Sequence, residues 1–246
     1  MKFQMTQPLL KVLKNTPYLG PFLVKLKGNV IGGIPLVFEN SAQYWQDRYK
    51  LGGTSGAGSY GRLAQFKADF LNNFVRENAI QTVVEYGCGD GAQLSLAQYP
   101  SYTGFDVSSL AVVNCRRRFA KKTVNYQFFE TSTALLEEGS FDLALSLDVI
   151  YHLIEDEVFD DYMTRLFRSS RRFVIIYAYN FEKLYESKHE RGREFLSWCD
   201  RHVKDWKLLH TEKNPFPYDV NNPTETSQSD FFVFVRHNQP PPVTAN

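Results

Sequence analysis

Long hydrophobic runs are what this chain of 246 residues most conspicuously lacks. Within residues 1–38, Lys11, Lys14, Pro17, Lys25 and Lys27 cut every apolar stretch short, which argues against a secretory signal, and nothing has the length of a membrane span. Cysteine is scarce too. Cys88, Cys115 and Cys199 are an odd number without metal-ligand spacing, so a disulfide framework and a zinc site are both excluded and reduced thiols in a cytoplasmic protein are expected. Charge of one sign is absent overall. Lys plus Arg number 28 against 27 Asp plus Glu, a net charge of +1, so no global electrostatic case for nucleic acid exists. The acids Asp148, Asp156 and Asp161 have no spacing that compels a cation site, and no metal is expected. Internal repeats are lacking as well.

Locally the charge is uneven. Residues 1–38 contain five lysines and no acid. Residues 1–40 read as a basic arm, packed on its own domain with solvated lysines or, as the alternative, making weak peripheral contact with an anionic membrane through Leu9, Leu10, Val12 and Leu13. The last residues, 238–246, read as a disordered tail. Between them, 41–237 are expected to form one main domain. Aromatic residues reach 15%, with 20 Phe and 14 Tyr, enough for a thick core.

The centre of that domain is TVVEYGCGDGA, Thr82 to Ala92. A short β-branched run breaks into glycines at alternate positions, Gly87, Gly89 and Gly91, followed by a stretch with the composition of a helix start. A strand, a glycine turn and a helix N-terminus make a ligand cradle, because glycine lets backbone approach a ligand closely. Before it, Ser41 to Tyr49 reads as a helix. Gly52 to Gly61 is a glycine-rich loop placed to act as a lid, and Arg62 to Asn78 repeats Leu63, Phe66, Phe70, Leu71, Phe74 and Val75 at helical spacing. After it, strands are expected at 102–107, 124–129, 141–147 and 172–178, with helices at 110–121 and 155–169. Strands at 206–210 and 231–235 close the sheet as an antiparallel hairpin. Residues 181–203 read as a charged helical insertion. The fold class is therefore α/β: a Rossmann-like open sheet of about seven strands, mostly parallel, with helices on both faces.

Ligands of such sheets sit at the carboxyl ends of the strands. The glycine turn, Asp106, Glu130 with Thr131, and the stretch Asp148 to His152 all fall there. Asp106 lies 15 residues beyond Gly91, where a carboxylate can accept from the two hydroxyls of a ribose. A nucleoside-containing cofactor fits this arrangement.

The set E-Y-G-C-G-D-G at 85–91, F-D at 105–106 and F-D-L-A-L-S-L-D-V-I-Y-H-L at 141–153 resembles the class I S-adenosylmethionine-dependent methyltransferases. The opening YWQDRYKLGGTSGAGSYGRLAQFK is similar to bacterial members that modify polysaccharides and small molecules. The resemblance implies S-adenosylmethionine as cofactor. Glu85 would meet its amino group, and Gly87, Gly89 and Gly91 its methionine and ribose part; Asp106 would take the ribose hydroxyls, Val107 the adenine face, and Glu130 or Thr131 the adenine amino edge. Asp148 is included in the cofactor set. His152, at the junction of cofactor and acceptor, is the candidate base, with a purely pocket-shaping role equally open. The expected acceptor is an oxygen of a small molecule or saccharide, since Asp148-Val149-Ile150-Tyr151 stands where relatives that methylate base amines carry an N-P-P-Y type tetrapeptide. Tyr60 and Arg62 at the lid, Tyr151, and His189, Arg191 and Arg193 in the insertion are candidate acceptor-binding residues. Tyr44, Arg48, Tyr218, Asp219, Ser227, Ser229 and Asp230 are weaker candidates of the same kind. A non-catalytic cofactor-binding protein is the main alternative and a nicotinamide-dependent oxidoreductase a lesser one; against the latter, the glycines follow G-x-G-x-G and not G-x-G-x-x-G. Nothing in the sequence addresses oligomeric state.

Overall fold

The computed structural model describes residues 30–31, 34–131, 137–185 and 187–237. Most of the basic arm and the whole C-terminal tail lie outside the described residues. Seven strands form one sheet: β1 (Val83–Tyr86), β2 (Ser101–Asp106), β3 (Asn125–Glu130), β4 (Phe141–Leu147), β5 (Ser170–Ala178), β6 (Trp206–Glu212) and β7 (Asp230–Arg236). Their order is β6-β7-β5-β4-β1-β2-β3. Pairing is parallel from β3 to β5, and β7 runs antiparallel to both β5 and β6. The expected closing hairpin is present, but its second strand inserts between β5 and β6 and leaves β6 at the edge.

Alternation along the strands divides the core into two layers. Val83, Leu143, Ile175, Phe231 and Val233 pack on one face with Leu71, Val75 and Phe119, from helices α2 (Gly61–Glu77) and α3 (Ser109–Phe119). Val84, Ala144, Ile176, Phe232 and Phe234 pack on the other with Met163, Phe167 and Trp198, from α4 (Asp156–Ser169) and α5 (Phe195–His202). Both faces being covered, β1, β2, β4 and β5 are buried over most of their length rather than alternating, while β3 at the edge is largely exposed or half-buried.

An N-terminal helix, α1 (Ser41–Lys50), lies outside these layers, above the strand ends. Asn40 caps it by accepting from the Gln43 N–H at 2.8 Å. Its first residue is tied to the far side of the site. The Ser41 N–H and hydroxyl donate to Glu155 at 2.9 and 2.6 Å, and the Ser41 hydroxyl accepts from the Ile154 N–H.

Two expectations need correction. The stretch after the glycine turn is a four-residue 3-10 turn, Gln93–Leu96, and not a helix; residues 97–100 are extended and end at Pro100, so no helix dipole stands behind the turn. The insertion is helical only in α5. Its first half pairs Lys183–Leu184 with Arg191–Gly192 as a two-stranded sheet. Residues 181–194 contain no apolar stripe that a helix would bury, whereas Phe195, Trp198 and Cys199 provide one.

Candidate active site

β1 and β4 are neighbours whose connections leave in opposite directions, so a crevice opens at their carboxyl ends. A cavity of about 300 Å³ fills it. Glu85, Gly87, Gly89, Asp106, Val107 and Thr131 line one side, from the ends of β1, β2 and β3. Trp45 and Tyr49 of α1 and Ser55 of the following loop cover it.

The glycine turn is tight for reasons the structure makes specific. Gly89 has φ +57, and a Cβ there would stand 2.3 Å from Ser55 Oγ and 2.9 Å from the Tyr49 hydroxyl. The turn and the loop over it therefore meet backbone to side chain. Asp90 secures this contact: its carboxylate accepts from the Tyr60 hydroxyl at 2.9 Å and the Ser55 N–H at 3.3 Å, while its own N–H donates to Ser55 Oγ. Gly91 serves packing instead. A Cβ on it would clash with Phe119 at 2.8 Å and crowd Cys115, and it does not line the cavity.

Two of the cavity acids, Glu85 and Asp106, are held differently. Asp106 accepts from the Gly89 N–H and the Ser108 N–H, each at 2.9 Å. Glu85 accepts from the Tyr102 hydroxyl at 2.7 Å. Burial pushes Glu85 up to about 7, against the opposing pull of Tyr102 and Lys67, and pushes Asp106 up to about 6, against the two N–H donors. Acids raised on folding bind protons more tightly in the native state than in the unfolded one. Their stabilising effect is complete at low pH and is lost as pH rises from about 4 through about 7. Thermal unfolding of the ligand-free protein over that range is expected to show the loss, on the order of 3 kcal/mol for Glu85 alone. A Glu85→Gln variant should flatten the curve; an unchanged slope would show that Glu85 does not titrate there.

Lys67 and Gln93 also face this cavity. Lys67, from α2, is 1% exposed and donates to Asp148 at 2.6 Å. Gln93 donates through Nε2 to the Ala64 carbonyl, leaving its buried Oε1 without a partner among the described residues. An orphaned acceptor beside a raised carboxyl is a site that wants a cationic donor. Asp148 ends β4 with φ +59 and is anchored by Lys67, by the Tyr151 hydroxyl at 2.9 Å and by Ser229 at 3.3 Å.

A second cavity, of about 410 Å³, adjoins the first. Trp45, Ser55, Asp148 and His152 line both, so these four residues form the partition. Its remaining wall draws Tyr44 and Arg48 from α1, Tyr151 and Tyr179 from the ends following β4 and β5, and Tyr185, His189 and Glu190 from the insertion. The segment before β7 adds Tyr218, Ser227 and Ser229.

His152 sits in the partition with Trp45 edge-on at 4.9 Å. Its Nδ1 lies 3.0 Å from the His189 carbonyl oxygen, which can only accept, so Nδ1 bears the proton and Nε2 keeps its lone pair. Burial pushes His152 down to about 4, and its imidazole is neutral at physiological pH.

The structure thus brings together Glu85, Gly87, Gly89, Asp106, Val107, Thr131 and Asp148 around one cavity, and Tyr151 and His189 around the other, with His152 between. Four candidate acceptor residues stand elsewhere. Tyr60 holds Asp90, and Arg62 lies over Phe216 and pairs with Glu225. Arg191 and Arg193 pair with Asp156, and both donate to carbonyls of the loop after His152. Glu130 ends β3 at the margin and is absent from the cavity wall. Lys67 was legible in one respect: it stands on the same stripe as Leu63, Leu71 and Val75, a lysine in a row of buried apolar residues. Gln93, Trp45 and Tyr179 carry no comparable signal.

The sheet order, with its single reversed strand and its crevice between β1 and β4, is that of the Rossmann-like methyltransferases. Residues 83–172 match the methyltransferase domain family. The chain shares its fold with the magnesium protoporphyrin IX methyltransferase of Synechocystis PCC 6803, solved with bound S-adenosylhomocysteine. The TM-score is 0.56 at 16% identity, covering 79% of this chain and 97% of that one. In sequence, it is 26% identical over 149 residues to a small RNA 2'-O-methyltransferase of Arabidopsis thaliana, covering 54% of this chain and 16% of that protein. It is 27% identical over 121 residues to EEF1A lysine methyltransferase 4 of Bos taurus, covering 47% of this chain and 46% of the other. The chain spans less than half the length of these curated relatives. Among the described residues no helix is long and apolar enough to cross a membrane, and no cluster of His, Cys, Asp or Glu has metal-binding geometry.

Proposed function

We propose that this protein is an S-adenosylmethionine-dependent methyltransferase acting on an oxygen of a small molecule or saccharide. The observation that carries the proposal is the pair of adjoining cavities, one built on the glycine turn and strand-end acids, the other on tyrosines and polar groups, with His152 and Asp148 in the partition.

S-adenosylmethionine supplies an electrophilic methyl group on a sulfonium. The lining of the first cavity fits it: Glu85 and the orphaned Gln93 Oε1 would accept from its ammonium, Asp106 would accept from the ribose hydroxyls, and Val107 and Thr131 would flank the base. The chain's task is then to orient the acceptor and exclude water. Tyr49, Ser55 and α1 close over the first cavity, and the Asp90 contacts keep them there. His152, neutral and with Nε2 free to accept, takes a hydrogen bond from the acceptor hydroxyl and draws its proton as the oxygen loses electron density. Asp148 with its three donors keeps Tyr151 and Ser229 in place at the acceptor side.

Titration with S-adenosylhomocysteine and, separately, NADH tests the cofactor. Binding of the former with no response to the latter is expected, and NADH binding alone would overturn the reading. For His152→Ala, kcat is expected to fall about 100-fold, the low end for a positioned base because burial has already made this imidazole weakly basic. S-adenosylhomocysteine affinity should stay near wild type. Turnover at the wild-type rate would remove His152 from the chemistry.

A further inference from the structure

From the composition and shape of the second cavity we infer that the acceptor is an uncharged, hydroxylated sugar ring of mono- or disaccharide size. This inference rests on the methyl-transfer reading and names the substrate class for the same site.

Size comes first. About 410 Å³ is near the lower end of cavities that enclose small ligands, and it is room for one or two rings and not for a folded protein surface or a nucleic-acid duplex. Charge comes next. Among the described residues Arg48 is the only lysine or arginine on the wall, and its Nε is already committed to the Thr54 carbonyl at 2.7 Å. The acids are Asp148, paired with Lys67, and Glu190, which stands 3.7 Å from a His189 kept neutral by burial and is itself held toward its uncharged form by burial. A phosphodiester backbone needs several cations, and an ammonium needs a charged, unpaired carboxylate. The wall supplies no cluster of cations, and burial disfavours the charged form of its one unpaired acid.

The rings on this wall are instead grouped as flat pairs. Tyr151 and Tyr179 stack with centroids 4.7 Å apart and an interplanar angle of 12°, and Tyr44 stacks on His189 at 4.3 Å and 13°. Tyr44 is 1% and Tyr179 8% exposed, with Phe181 stacked on Tyr179 as well, so these pairs are packed wall; the rings left more open to the cavity are Trp45, Tyr185 and Tyr218, against which the C–H face of a pyranose packs while its rim of hydroxyls turns to the polar groups around it. Ser227, Gln228 and Ser229 edge the same wall, with Tyr185 reaching Gln228 at 3.5 Å. Aliphatic lining is limited to Leu63, Ala57 and Pro223, too little to enclose an apolar aromatic acceptor. A sugar ring seated against Tyr185 has a hydroxyl facing the partition, where His152 Nε2 accepts. The oxygen–carbon bond forms as the sulfur–carbon bond breaks, and the hydroxyl proton leaves through His152.

The test offers the whole chain radiolabelled S-adenosylmethionine with four acceptor sets: methyl glycosides of neutral hexoses and 6-deoxyhexoses, simple catechols and phenols, a short single-stranded RNA, and a lysine peptide. Label in a glycoside is expected. For Tyr185→Leu, the glycoside KM should rise roughly five- to tenfold at nearly unchanged kcat, the effect of one lost ring face. Tyr218→Ala, at a position 48% exposed and therefore safe for folding, should raise it less. Label confined to the phenols, the RNA or the peptide overturns the inference, as does label in none of the four while S-adenosylhomocysteine binds. Failure to bind S-adenosylhomocysteine at all would instead strike the methyl-transfer reading itself.

Discussion

Lys67→Met is expected to destabilise the protein by about 3 kcal/mol, lowering the unfolding temperature by roughly 10 °C. The lysine is 1% exposed and its Nζ sits 2.6 Å from Asp148, whose side chain is 17% exposed. Removing the cation leaves a carboxylate largely withdrawn from water with only the Tyr151 and Ser229 hydroxyls to satisfy it. The cost is that of an orphaned charge, which distinguishes it from the small effect of losing a surface ion pair. A double variant makes the cause visible. In Lys67→Met/Asp148→Asn the charge is gone from both sides, and asparagine tolerates the left-handed backbone at φ +59 while still accepting from Tyr151 and Ser229. Most of the lost stability should return. Urea unfolding of the four proteins gives the coupling energy directly, and purely additive losses would show that the pair is not what stabilises this region.

The second large effect concerns binding. For Asp106→Ala, S-adenosylhomocysteine affinity is expected to fall about 10³-fold, the sum of two charge-assisted hydrogen bonds to the ribose hydroxyls. The loss has a second origin in the turn. Asp106 orders Gly89 by accepting its N–H at 2.9 Å, and Gly89 is the residue against which Ser55 closes. Asp106→Asn retains an acceptor for one N–H and should fall between the wild type and Asp106→Ala. Calorimetric titration checks both, and affinity in Asp106→Ala within a factor of a few of wild type would place the ribose elsewhere.

How much of this was written in the chain can be seen residue by residue. The apolar runs of β1, β4, β5 and β7 and the stripes of α2 and α4 are local patterns, and each element appeared within a few residues of its expected place. The strand-end motifs were equally local. Glycines at 87 and 89 and acids at 85, 106 and 148 came together because every parallel strand delivers its carboxyl end to the same edge of the sheet. Where local pattern was silent, the reading erred. Gln93 to Gln98 had helical composition but no room to continue before Pro100, and residues 181–194 had charge without periodicity, which left the pairing of Lys183–Leu184 with Arg191–Gly192 invisible.

The sequence by itself determined the α/β sheet, the cofactor edge and the position of His152, because periodicity and turn chemistry act over a few residues and parallel topology does the rest. Tertiary structure alone decided the second cavity, the proposed acceptor side. Tyr44, Tyr179 and Tyr218 are separated by more than a hundred residues in all, and only the packing of α1 over the strand ends places them on one wall. It also decided which charges matter: Arg62, Arg191 and Arg193 looked like acceptor ligands and are engaged by Glu225, Asp156 and loop carbonyls, while Lys67, one lysine in an apolar stripe, is the cation buried at the junction. A charge is given its role by the partner that folding brings to it and by the water that folding removes, and neither is a property of its neighbours in sequence.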